Sequence, residues 1–459
     1  MFLGAVDQTV VAATLPAIVL DLGLPINRLD DVSWTITAYL AGYALMLPIA
    51  GQIADRVRRL DRFVLACLVV FALGSLAVGA GRDLPTIVMG RFIQAVGAGA
   101  LLPVALGRVV TTGGIMPMIS RIGWITAIAE GGALLGPVYG AAAIQLLSWR
   151  WVFLLNIPCA VLLGFWLLRK WTPGSPRPDI GPLAWRGAIL LGGALSVLTL
   201  GVSQEASRLA GGAGRPLLLL TGAALIALLF LSERRAANPL LPRTLLLHRG
   251  ITATLTTHLL GGAALMVPLL VVPLWGNTLL GLDSSQAALL LARLTLTIPI
   301  GALLGSKLGD KMPLSVLASV GMMTTAGALA MMATWTSAVD TGSMTLALLL
   351  TGLGFGIMIA PTNATAIHAA GLTHAASVAS LVQAARLVGM TLASAGLASY
   401  GLDHFNALVA DLSIGDAAAY VQAVRASAQQ VFTELFRVGA LIAALGAVAA
   451  LAGPSRTGG

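Results

Sequence analysis

The sequence predicts an all-α polytopic membrane protein, and three observations carry that prediction. Of the 459 residues, 58% are hydrophobic and 10% charged, with a mean hydropathy of +0.92, whereas a soluble domain is about a quarter charged. Apolar stretches bounded by charges, Gly or Pro recur from end to end, and a helix rising about 1.5 Å per residue needs about 20 such residues to cross the hydrocarbon core. The net charge of +9 is dispersed over short connections instead of forming one basic face. That distribution speaks for membrane topology and against a nucleic-acid partner.

The expected spans are 1–22, 33–54, 62–80, 85–107, 121–147, 150–168, 184–203, 215–232, 250–276, 285–306, 314–335, 343–367, 376–400 and 432–452, fourteen in all. The first carries an acid and runs on at membrane length without a small-residue cleavage site, so it reads as a helix and not as a signal peptide. Only six residues precede Asp7, which leaves open a start upstream of Met1. An even number of spans puts both termini on one side. If that side is the cytoplasm, the inside connections hold Arg56, Arg58, Arg59, Arg62, Arg108, Arg121, Arg169, Lys170, Arg177, Arg186, Arg234, Arg235, Arg243, Arg249, Lys307, Lys311 and Arg456. The outside ones hold only Arg28, Arg82, Arg150, Arg208, Arg215 and Arg425, the asymmetry of the positive-inside rule. The expected location is therefore a bacterial inner membrane, with cytoplasmic termini.

Gly51 to Arg56 (GQIADR) and Gly305 to Lys311 (GSKLGDK) are both glycine-led, acid-bearing loops with a basic end, each following an outside-to-inside helix. Parallel repeats of this kind suggest a transporter built from two related six-helix halves. The expected organisation is a first half over 1–168, two inserted spans over 169–249, and a second half over 250–459. Within the last, 401–432 is a long outside connection. Val421, Val424, Ala428, Val431, Phe432 and Leu435 recur there at helical spacing. The segment reads equally as the start of the last span standing above the membrane or as a lid on the bundle mouth.

Charges inside spans carry the chemistry, because each is costly unless it faces a wet cavity or a partner. Asp7 and Glu130 are the acids so placed; Arg91, Arg293, Arg386 and Arg437 are the bases, of which Arg437 lies near a helix end and can snorkel. Asp7 suits a proton-coupling role on a moving helix, with a helix-packing hydrogen bond as the plain alternative. On that role, Asp7→Asn is expected to abolish coupling and to leave folding largely intact. Gly132, Gly136 and Gly140 form a small-residue stripe for tight helix contact. Glu130 lies about 200° round the helix from Gly132, facing the cavity or an Arg on another helix, as a switchable proton site or a static ion pair. Arg91 with Gln94, and Gln383 with Arg386, share faces at i,i+3 and could counter the acids or bind an anionic headgroup. Arg293 is a second candidate partner for Glu130. In the loop after Gly51, Asp55 is placed to cap a neighbouring helix N-terminus, while Arg56 and Arg59 hold the loop to adjacent helices. Gly305 and Asp310 occupy the corresponding loop of the second half.

No HExxH, Walker A, GxSxG or Cys/His metal spacing is present in the sequence. The reading is a transporter and not an enzyme, with no cofactor or metal, driven by an ion or solute gradient.

Five stretches resemble the major facilitator superfamily, specifically its fourteen-span drug:proton antiporter group of the QacA/EmrB type. They are Ala5 to Val11 with Leu15-Pro16, Gly51 to Arg56, Gly90 to Gln94, Gly132 to Gly140 with Pro137, and Arg386 with Gly389. Arg58 and Leu60 depart from the group's loop pattern, and Ala95 stands where glycine is usual. Leu24 to Gly51, the Glu130 region, Trp149 to Phe153 and Asn156-Ile157-Pro158 are similar to a mycobacterial branch that exports lipids and drugs with the lipoprotein LprG. The resemblance implies the major facilitator fold, alternating access, Asp7 and Glu130 as protonatable sites and Arg386 as a candidate lock partner. It implies proton-coupled efflux of hydrophobic or amphiphilic compounds such as drugs. The alternative is export of triacylglyceride-like lipid, and a non-transporting receptor or scaffold ranks below both. The partners implied are the substrate, protons, membrane lipids and a periplasmic lipoprotein.

Overall fold

The computed structural model describes residues 1–23, 31–57, 59–111, 117–170, 182–203, 206, 212–236, 238–410 and 417–454. Arg58, Arg177, Arg208, Arg456 and all of Leu24 to Asp30 therefore lie outside the described residues. Sixteen helices follow in order among those described: α1 Phe2–Asp21, α2 Trp34–Arg56, α3 Leu60–Ala80, α4 Leu84–Gly99, α5 Leu101–Thr111, α6 Met118–Leu146, α7 Trp149–Leu154, α8 Asn156–Lys170, α9 Trp185–Val202, α10 Gly214–Arg235, α11 Arg243–Leu246, α12 Arg249–Leu280, α13 Ser284–Leu308, α14 Leu314–Met332, α15 Thr341–Ala410 and α16 Ala417–Leu451. Among the described residues no strand interrupts them. Thirteen segments are long and apolar enough to cross a membrane, and the bent pair Phe2–Val11 and Ala13–Asp21 makes a fourteenth when counted as one span. The fold is all-α and polytopic, as the composition requires.

Proline and glycine explain where the helices bend. Pro16 has no N–H to give to the carbonyl four residues earlier, and α1 bends by 57° at that place. In α15, Gly371 adopts φ 63°, a left-handed conformation that costs glycine nothing but would strain a side chain. The break there turns one long helical segment into two spans, Thr341–Gly371 and Thr373–Ala410.

The chain divides into two compact units, one of Met1–Ile251 with Ala366–Ala384, the other of Thr252–Thr365 with Ala385–Gly459. In the first unit helices meet at bare backbone. A Cβ at Gly132 would sit 2.6 Å from the Phe2 carbonyl oxygen, and one at Gly136 2.6 Å from that of Val6. The glycine stripe of α6 is thus the seat of α1. Pro137, inside α6, leaves the Ala133 carbonyl without its helical donor, and the Thr9 hydroxyl of α1 donates to that oxygen at 2.8 Å. Gly42 brings α2 against the Phe92 carbonyl of α4, and Gly97 brings α4 against the backbone of Phe71 in α3. Helix α9 lies on α2, with Gly192 against the Leu45 carbonyl and Ser196 donating to the Ala41 carbonyl at 2.8 Å. Helix α10 rests on α9, with Gly222 against Leu198 and Leu218 and Leu219 against Gly201, and Gly214 and Gly222 are its buried residues.

In the second unit the core joins Met322, Trp275, Trp335, Phe355, Met358 and Phe436. Gly389 of α15 meets the Leu259 carbonyl of α12, and Gly305 of α13 meets the Ile357 carbonyl of α15. The connection expected over 401–432 is more helical than the sequence spacing suggested. Helix α15 continues to Ala410, and α16 already begins at Ala417. The reason is local: Phe405 and Leu408 on one arm and Phe432 on the other pack against the same buried cluster, which includes Val431 and Leu435. The Tyr400 hydroxyl donates to Glu434 at 3.0 Å, and His404 lies 3.2 Å from the same carboxylate.

Candidate functional site

The deepest charge cluster is built on α1, α3, α4 and α8. Asp83 starts α4 by accepting the Thr86 N–H at 2.8 Å, with Pro85 in the first turn. Arg91 follows about 12 Å further along the helix, at about 1.5 Å per residue, and its guanidinium is fully buried. Nη1 donates to Asp7 Oδ2 at 2.6 Å and to Gln94 Oε1 at 2.8 Å, while Nη2 donates to the Asp7 carbonyl at 3.2 Å. The other carboxylate oxygen accepts from Gln94 Nε2 at 2.8 Å and from Asn156 Nδ2 at 2.9 Å. Gln94 also donates to the Ser75 hydroxyl at 2.7 Å, and Arg91 lies 4.1 Å above the Tyr39 ring centroid. Tyr39 in turn donates to the Gly4 carbonyl at 3.0 Å. Every member of the cluster is thus tied to a helix other than its own.

Two charges removed from water are tolerated only when both are paired and the leftover lone pairs are satisfied. Here both conditions hold for the ionised acid. A proton on Asp7 would remove one charge and weaken the contact from α4 to α1, while Arg91 would keep Gln94 Oε1, the Thr35 carbonyl at 3.4 Å and the Tyr39 face. The cluster can therefore exist in two charge states, and the helix that would feel the difference is α1, which is bent and seated on glycines.

The second cluster is the loop after Gly51. Asp55 is buried, and its carboxylate accepts the backbone N–H groups of Ala376 at 2.9 Å and Ser377 at 2.8 Å, within the first turn of the span Thr373–Ala410. A carboxylate there meets unpaired N–H groups and the positive end of the helix dipole. Gly51 sits where a Cβ would meet the Ala376 carbonyl at 2.9 Å, and Gln52 Nε2 donates to Ser377 Oγ at 2.9 Å and to the Leu240 carbonyl at 2.8 Å. Arg56 donates to the Pro182 carbonyl at 3.3 Å. Arg59, expected to reach a neighbouring helix, is exposed and pairs instead with Asp61, two residues on, at 3.8 Å. That short span leaves it no reach beyond the loop.

The remaining predicted residues lie on α6, α13 and α15 or just after α13. Glu130 is half-buried on α6, away from the face of Gly132, Gly136 and Gly140 that seats α1. Arg386 is half-buried on α15 with its guanidinium 5.6 Å from the Phe355 ring centroid. Arg293 donates to Thr345 Oγ1 of α15 at 2.6 Å. Gly305 packs α13 on α15, whereas Asp310 is exposed. The loop of the second half thus reproduces the sequence pattern of Asp55 without its burial. Sequence reasoning passed over Ser75, Tyr39 and His258. His258 is a buried imidazole with Nε2 2.8 Å from Thr362 Oγ1. Its only signal was an unusual residue type in an apolar run.

Comparison with known proteins places this geometry. The model of the Major Facilitator Superfamily matches residues 1–394. A protein of Mycolicibacterium smegmatis named as a triacylglyceride transporter is 32% identical over 98% of this chain and 85% of its own length. One of Mycobacterium tuberculosis, also named as a triacylglyceride transporter, is 30% identical over 98% and 92%. Among solved structures, the proton:xylose symporter XylE aligns with TM-score 0.59 at 14% identity, covering 96% of this chain and 92% of that one. The outward-facing transporter FucP aligns with TM-score 0.57 at 14% identity, covering 95% and 96%.

Proposed function

This chain belongs to the Major Facilitator Superfamily and is a membrane transporter; on that premise we propose that it exports a triacylglyceride-like lipid by alternating access, with protons as the coupling ion and Asp7 as the residue that carries them. The observation that carries the proposal is the buried contact of Asp7 with Arg91, Gln94 and Asn156. A carboxylate is the group in that cluster that can take and release a proton, and releasing it re-forms a charge-assisted bond between α1 and α4. Cycling between the two states moves a helix that bends near Pro16 and slides on glycines. Helix shifts of this kind, between discrete packed arrangements, are how transporters change access. The Asp55 contact to the Ala376 and Ser377 N–H groups acts as a latch, made in one state and released in the other. Glu130 and Arg386 are further charged residues of the transport path.

The names of the relatives favour a neutral lipid over a drug as cargo. The inner membrane, cytoplasmic termini and a periplasmic lipoprotein receiving the cargo belong to the same proposal. The test is proton flux in proteoliposomes. Triolein should stimulate flux in the wild type and not in Asp7→Asn. Stimulation by a lipophilic cation and not by triolein would assign drug efflux instead, and flux equal in both proteins would remove Asp7 from coupling.

A further inference from the structure

Between α10 and α11 the chain leaves helical structure, yet Leu240 and Leu241 are buried. A buried backbone outside regular structure has to find partners for its N–H and C=O groups. Leu240 finds both in side chains. Its N–H donates to Glu233 Oε2 near the end of α10, and its carbonyl accepts from Gln52 Nε2 of α2 at 2.8 Å. Gln52 is itself buried, and its amide nitrogen also donates to Ser377 Oγ at 2.9 Å. The Ser377 N–H is one of the two that Asp55 accepts. Glu233, Leu240, Gln52 and Ser377 thus form one continuous line from the end of an inserted helix to the helix start that Asp55 caps, all within the first unit.

The other inserted helix shapes the same line. Gly187 stands in the first turn of α9, where a Cβ would collide with Glu233 Oε1 and lie 3.2 Å from Leu240 Cβ. Bare backbone at that position gives the carboxylate its place. Just before α9 the Pro182 carbonyl accepts from Arg56 Nε at 3.3 Å. The loop after Gly51 is therefore held to the inserted segment at two points, Gln52 and Arg56. Glu233 lies in the last turn of α10, where the helix dipole disfavours a negative charge. Its position does nothing for α10 itself and is accounted for by the bond it makes to Leu240.

We propose that Leu240 and its neighbours form a strap on the Asp55 latch, and that Glu233 is the positioning residue that holds the strap in place. Through Gln52 the strap keeps Ser377, and with it the Ser377 N–H, in front of Asp55. The inserted helices α9 and α10 are then the anchor that sets how readily the latch opens. The inference rests on the reading of Asp55 as a latch and extends it from α2 to the inserted spans.

Hydrogen exchange of the full chain in phosphatidylcholine nanodiscs, read by mass spectrometry on a peptide covering Ala376 and Ser377, reports the open fraction of the latch, because a paired amide exchanges when its bond opens. Asp55→Asn should quicken that peptide by more than about tenfold, and Glu233→Ala by about fivefold, the value of one modest hydrogen bond. Gly187→Ala displaces the carboxylate from a different helix and should act as Glu233→Ala does. Glu233→Gln keeps an oxygen that can accept the Leu240 N–H and should stay within about twofold of wild type. Adding Glu233→Ala to Asp55→Asn should quicken exchange little further, since the strap acts through the latch. Exchange in α14, which belongs to the second unit, measures general loosening and should not change. Unchanged exchange in both Glu233→Ala and Gly187→Ala overturns the strap, and if Asp55→Asn still responds the latch survives it. No response to Asp55→Asn removes the latch and the strap together. Equal quickening in α14, Glu233→Gln as fast as Glu233→Ala, or full multiplication of the two effects in the double variant also overturns the proposal, because Glu233 would then serve the fold and not the latch.

Discussion

Replacing Asp7 by Asn removes one charge from a pair in which Arg91 is fully buried and Asp7 is 1% exposed. The amide oxygen can keep the bonds from Gln94 and Asn156 only by turning its NH2 toward Arg91 Nη1, which stands 2.6 Å from Asp7 Oδ2. Two donors then face each other. Removing one partner of a buried ion pair costs about 3–5 kcal/mol, because the other charge is left uncompensated. Gln94 Oε1, the Thr35 carbonyl and the Tyr39 face still serve Arg91, which places the expected loss near the lower end, about 3 kcal/mol. The structure thus revises the expectation from sequence that the amide would spare the fold: side-chain shape is conserved, but the charge balance of the cluster is not. Equilibrium unfolding in detergent and gradient-driven lipid export in proteoliposomes are measured together. Asp7→Asn should lose both stability and export, and adding Arg91→Gln should restore most of the stability and none of the export. Additive stability losses in the double variant would refute the pairing argument, and wild-type export by Asp7→Asn would refute the coupling role.

Other expectations follow from single contacts. Gly136→Ala places a methyl group on the Val6 carbonyl and the Thr9 hydroxyl, so it should cost about 1–3 kcal/mol and impair export, while Gly131→Ala, with nothing within 4 Å of the added carbon, should melt at or above the wild-type temperature. Asp55→Asn weakens two charge-assisted bonds to the Ala376 and Ser377 N–H groups, an expected loss of about 1–3 kcal/mol; maleimide labelling of a cysteine at Ser377 should quicken in that variant, and unchanged labelling would remove Asp55 from the latch. Labels at Lys311 and Arg425 should report opposite faces of the membrane, and access to both from one side would break the topology.

The helical, membrane-spanning character of the chain could be read from the apolar runs, since span length is set by bilayer thickness and not by tertiary context. Residue types and faces were legible as well: Arg91 and Gln94 at i,i+3 do act on one acceptor, Asp7 Oδ1 and Oδ2 between them. What periodicity does not contain is which helix stands next to which. Gly132, Gly136 and Gly140 announced a close contact without naming α1 as its occupant, and Asp55 announced a cap without naming the helix broken at Gly371. The loop likeness of Asp55 and Asp310 misled for the same reason. An acid can be a cap only where a helix N-terminus stands in front of it, and Asp310 is exposed.

The contrast between α9 and α10 bears on how such a chain varies among descendants. Helix α9 presses backbone to backbone on α2 through Gly192, so a side chain there would collide, and its sequence is held to small residues at that face. Helix α10 meets α9 through Gly222 against Leu198, Leu218 and Leu219 against Gly201, and Glu233 against Gly187, and the rest of its surface needs only to be apolar and of the right length to lie against acyl chains. Among homologues the two inserted helices should therefore drift at different rates. The second is free to exchange Leu, Ile, Val and Phe almost at random and to lengthen or shorten with the thickness of the host's bilayer, while the first stays recognisable.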